Sequence, residues 1–249
     1  MKTPPAAEVP DESSGPPAAT QLFAHTDWAA LEHADPFPFD LAETLAELLD
    51  QSLAVRSSAL RALLQAVHHQ NTIYSSTTPV AVYAAALLFD PRTENIEVDD
   101  QGKPPRLLRA ALLDWLGELA YDVCDDNLAA ALRLGFTTTT EEAELRAARP
   151  MILHAAISCT RAPDPAVRHA AVIATLRLLD IKQPNLQQQA EYSPLIEEVL
   201  AESTSRYHRA VALDTLDAWG QDTTAYQPVQ PAITAGDVPW AAWNNAPPF

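Results

Sequence analysis

A chain of 249 residues, 47% of them hydrophobic, can bury a full core as one large domain or two small ones. Its 33 acids against 16 bases give a net charge of −17, which excludes the basic footprint of nucleic-acid binding and opposes anionic membrane surfaces. The same charge suits a basic protein partner, or serves solubility alone.

Residues 1 to about 21 hold five prolines, several acids and almost no large apolar side chains. That composition cannot offset the entropy of ordering, so a disordered tail is expected there. It contains no apolar leader segment, and no run approaches transmembrane length, so the expectation is a cytoplasmic protein with Cys124 and Cys159 buried and reduced. From residue 22 to 220 the pattern is helical, with only six glycines in the whole chain and no strand-like alternation. Asp40 precedes LAETLAELL as an N-cap. A helix from near Ser52 ends at HHQN, where Asn71 suits a left-handed cap. Thr78 and Pro79 read as the N-cap and first residue of the next helix. An acidic insertion, DPRTENIEVDDQGKP, follows, and an extra short helix lies near Asn127–Leu134. In TTTTEEAEL, Thr140 is the expected cap, with acids in the first turn where the helix dipole favours them. Residues 221 to 249 are proline-rich but carry Trp240 and Trp243, which either cap the last helices or anchor a partner.

Four segments share a proline followed by an arginine that opens a second helix. Arg56 is followed by Ala59, Leu60 and Leu63; Arg109 by Leu112, Leu113 and Leu116; Arg168 by Ala171, Val172 and Thr175; Arg209 by Ala212, Leu213 and Leu216. The recurrence of these arginines at one repeat position predicts contacts between repeats.

DPAVRHAA (Asp164 to Ala171) resembles the turn and second-helix start of a HEAT repeat, and SLAVRSSA and SRYHRAVA are degenerate copies. The resemblance implies an all-α fold, a right-handed α-solenoid of about four to five helical hairpins over residues 22–220. WAALEHA (Trp28 to Ala34) and HQNTIY (His69 to Tyr74) also resemble two boxes of an uncharacterised group of bacterial HEAT-like proteins, with Asn71 where glycine is usual. That group offers a fold and no activity to transfer.

The polar stretch His69–Tyr74 has two readings. It is either a turn between repeats, with Tyr74 packed and His69 on backbone carbonyls, or a binding ridge of His69, Gln70, Asn71 and Tyr74. No metal site is expected: His68 and His69 are adjacent, so on a helix they point about 100° apart, and His33 and His154 lack ligand spacing. The acids at 99–100, at 122, 125 and 126, and at 141, 142 and 144 read as solvated or dipole-stabilising rather than catalytic. Tyr121, Trp115 and Trp219 read as core. No phosphate loop or nucleophile elbow is present, so neither catalytic residue nor cofactor is expected. The expected function is a non-enzymatic protein-binding module, in its sharpest form an immunity- or antitoxin-like protein that neutralises a basic toxin. The alternatives are a HEAT-fold enzyme, glycosylase-like or lyase-like, and a scaffold subunit of a larger assembly.

Overall fold

The computed structural model describes residues 16–34, 39–99 and 104–226; most of the expected N-terminal tail, together with Trp240 and Trp243, lies outside the described residues. Within them the chain is all-α, with ten helices. These are α1 (Ala19–His25), α2 (Leu41–Glu47), α3 (Leu53–Val67), α4 (Thr77–Leu87), α5 (Leu108–Asp122), α6 (Asp125–Arg133), α7 (Thr140–Cys159), α8 (Pro165–Leu179), α9 (Leu186–Glu202) and α10 (Arg206–Ala218). α1 starts inside the segment expected to be tail. No described helix is long and apolar enough to cross a membrane.

Side-chain caps set most of the helix starts. Asp40, Ser52, Asp164 and Ser205 each accept a hydrogen bond from the backbone N–H three residues on. Thr139 and Asn185 do so within full capping boxes, with Glu142 and Gln188 bonding back. The cap of α7 is therefore Thr139 and not Thr140, which has Ala143 rather than a glutamate three residues on. α4 begins at Thr77, one residue before the expected cap Thr78. Pro79 still falls in its first turn, where a missing N–H leaves no helical bond unmade.

Among the described residues, the only strands lie at the insertion. Glu97–Val98 (β1) pairs antiparallel with Arg106–Leu107 (β2), and the Asp99 N–H donates to Ser57 Oγ at 2.7 Å, fastening the ribbon to α3.

α2 packs on α3, α4 on α5, α7 on α8 and α9 on α10; α5 also lies along α8, α4 along α7, and α10 against α8. α8 buries Ala170, Ala171, Ala174 and Leu178 in a large apolar cluster shared with α1 to α5 and α7. Its other side puts Val172, Ile173 and Leu176 into a smaller cluster with α9 and α10. A helix apolar all round belongs at such a centre. Where α5 meets α8, a Cβ on Gly117 would stand 3.2 Å from the Ala174 Cα, so the approach depends on the absent side chain. α6, the extra helix, buries none of its residues.

The four repeat arginines act mostly within their own helix pairs. Arg56 donates to the Asp50 and Gln51 carbonyls, Arg109 to Asp90 O, Arg168 to Ala162 O and Arg209 to Leu200 O. A guanidinium in the first turn of the second helix thereby satisfies carbonyls left open by the end of the first. Contacts beyond the pair come from two of them: Arg56 to Glu97 O at 2.9 Å and Arg168 to the Glu198 carboxylate at 2.5 Å. Trp115, Trp219, Cys124 and Cys159 are buried as expected. Tyr121 is not: it is 45% exposed, and the Arg177 guanidinium covers its ring at 4.2 Å.

Candidate functional site

The polar stretch read as either a turn or a binding ridge includes a left-handed turn. α3 stops at Val67, and both Gln70 (φ 51°) and Asn71 (φ 60°) adopt the left-handed conformation, where the sequence reading assigns it to Asn71 alone. His69, Gln70 and Asn71 are exposed side by side, while Tyr74 is half-buried. The hydroxyls that follow hold the turn in place. Thr77 Oγ1 donates to Val67 O at 2.5 Å and accepts from the Tyr74 N–H at 2.8 Å. Glu32 N–H donates to Ser75 Oγ at 2.8 Å, Ser76 N–H to Glu32 O at 3.2 Å, and Ala34 N–H to Ala66 O at 2.7 Å. The WAALEHA segment is therefore bonded to residues on both sides of HQNTIY, to Ala66 before it and to Ser75 and Ser76 after it.

A second polar group lies on α5, in the run DWLGELAYD. Its acids Asp114, Glu118 and Asp122 recur every fourth residue and so share one helix face. At one end, His68 Nε2 bonds Asp122 Oδ2 at 2.7 Å, with the His68 side chain 1% exposed. At the other end, Asp114 is held between His208 Nε2, at 2.7 Å, and the Arg106 guanidinium. His208 comes from α10, so this network ties α5 to the last helix pair, and its Nδ1 lies 3.4 Å from Ser203 Oγ.

Glu118 stands between these two satisfied ends. Among the described residues no hydrogen bond or ion pair reaches its half-buried carboxyl. Burial, then the Asp114 and Asp122 charges, push it up to about 8. Burial also raises Asp114, but the charges and hydrogen bonds of His208 and Arg106 outweigh it and hold that carboxyl below its ordinary range. Tyr207, also half-buried, is raised by burial and then by Glu118. Near this row, Tyr121, Arg177, Asp180, Lys182, Asp214 and Trp219 help line a recess of about 220 Å³. Lys182 bridges Asp126 and Asp180, each at 2.8 Å.

Chemically the row offers a protonated carboxyl flanked by carboxylates that already have partners. An incoming cation would lower the Glu118 pKa and release its proton. The sequence reading groups Asp122 with Asp125 and Asp126 as acids of turns and helix starts; Asp122 instead ends α5 and binds His68. The four-residue spacing of the acids was the available signal. His169, Glu198 and Glu202 form a separate group with the donor types for a metal ion. No family model matches this chain, and no curated protein or solved structure matches it.

Proposed function

We propose that the chain is a right-handed α-solenoid of HEAT-like helix pairs, cytoplasmic, serving as a non-enzymatic module that binds a basic protein. Its sharpest form is an immunity- or antitoxin-like protein that neutralises a basic toxin. The four helix pairs and the lengthwise packing of α5 on α8 and α4 on α7 support the stacked architecture. The observation that carries the binding reading is Glu118, a half-buried carboxyl that no hydrogen bond or ion pair reaches among the described residues, inside a row of three acids whose charges and burial outweigh the Arg106 charge on it. A lysine or arginine of the partner would supply the missing charge, and the net charge of −17 would steer it inward. The exposed His69, Gln70 and Asn71 offer a polar contact at a separate place.

The test is an affinity pull-down from the native cytosol at low and moderate salt, read by mass spectrometry, with Glu118→Gln beside the wild type. One dominant basic partner, lost as salt rises and weakened by the substitution, supports the reading. A partner held equally at both salts and by both proteins removes it. One observation favours a second reading: Asp114 and Glu118, one helical turn apart, have pKa values driven in opposite directions, as an acid–base pair requires. Turnover of a small molecule by the wild type and its loss in Glu118→Gln would establish an enzyme instead.

A further inference from the structure

His169 lies one turn into α8, where that helix faces the end of α9. Its side chain is 5% exposed, and its Nε2 is buried without a hydrogen-bond partner. A buried ring nitrogen left unpaired costs stability unless another ligand uses its lone pair. Glu202 Oε2 stands 3.8 Å from that nitrogen, too far for a hydrogen bond. Glu198 lies one turn earlier on the same face of α9, and one ligand atom from each of the three residues falls within 4.8 Å of the others.

We propose that His169, Glu198 and Glu202 bind a divalent transition-metal ion of the zinc class, which clamps α8 to the end of α9. One imidazole and two carboxylates are a donor set such ions accept, leaving a position open for water or a partner's ligand. Ligand bonds of about 2.1 Å in a tetrahedral site would draw the donor atoms to about 3.4 Å apart. The glutamates can supply that movement, since their side chains are 32% and 55% exposed while the imidazole stays fixed by packing.

Arg168 is the competitor. Its Nε donates to Glu198 Oε1 at 2.5 Å, and its other terminal nitrogen lies 3.7 Å from Glu202 Oε2, so the guanidinium now neutralises both carboxylates. It also holds Ala162 O at 2.9 Å and can keep that bond when an ion takes over the acids. The site therefore exchanges one cation for another, and removing the guanidinium strengthens ion binding.

Calorimetric titration of the full, untagged, chelator-treated chain with Zn²⁺, and with Co²⁺ for its visible spectrum, tests the proposal. One ion per chain is expected, with a raised melting temperature. Glu202→Gln alters an exposed side chain, so its folding is not at issue; it should weaken binding by roughly 10–100-fold and abolish the thermal shift. Arg168→Gln should bind more tightly than the wild type. Unchanged affinity in Glu202→Gln, or neither heat nor thermal shift in the wild type and Arg168→Gln alike, overturns the site.

Discussion

Glu118 and Asp114 lie one helical turn apart, yet the fold drives their proton affinities in opposite directions. The consequence for stability follows from the sign of each shift. Glu118 has an ordinary value of 4.5 and is raised to about 8, so between those values the unfolded chain releases its proton first. Its contribution is full below about pH 4.5 and is lost as pH rises through about 8. Glu118→Gln mimics the protonated form at every pH. Thermal melts should show the two proteins equal below about pH 4.5, with the variant increasingly the more stable as pH rises to about 8 and the gap levelling off above it. Equal pH profiles would show that the carboxyl titrates normally. The row was partly legible, because DWLGELAYD spaces its acids by four. Their partners were not: His68 lies 54 positions from Asp122 and His208 lies 94 from Asp114, separations that no local pattern encodes. The exposed turn at His69–Asn71 was legible, since a run of polar residues between two apolar helices has few other places to go.

At the scale of helices, the crossing of α5 and α8 is the tightest constraint found. The 3.2 Å approach at Gly117 is to backbone, which cannot swing aside as a flexible side chain can. Gly117→Val should push the two helices apart and cost about 1–3 kcal/mol by overpacking, measured as a lowered denaturant midpoint. Retained stability would show that the helices can slide. The helix starts at Asp40, Ser52 and Asp164 were legible, because each carries its capping chemistry locally. Thr139 slipped by one because four consecutive threonines offer the same hydroxyl, and only the reach of Glu142 separates them. The β-ribbon in the insertion was invisible, since strands of two residues show no alternation. The arginines were seen as recurrent, but whether they bond within or between pairs depends on which carbonyls the turns leave open.

Across the whole molecule, two apolar clusters meet at α8. Among the described residues the smaller one rests on one side of that helix and is otherwise built by α9, α10 and the residues just after α10, Trp219 and Tyr226. The last pair is thus joined to the rest by one apolar seam, by the His208–Asp114 bond and by Arg168–Glu198. This predicts two cooperative units in native-state hydrogen exchange. Amides of α9 and α10 should exchange through a partial opening well below the free energy of global unfolding, while α5 and α8 exchange only with it. The Asp114 carboxylate is held below its ordinary range, so the stability it adds is lost as pH falls through that lowered value. Acid should then release the C-terminal pair first, leaving a shorter, still folded stack. A partner or ion bound across the seam would merge the two units into one and slow exchange throughout α9 and α10, well beyond the residues it touches.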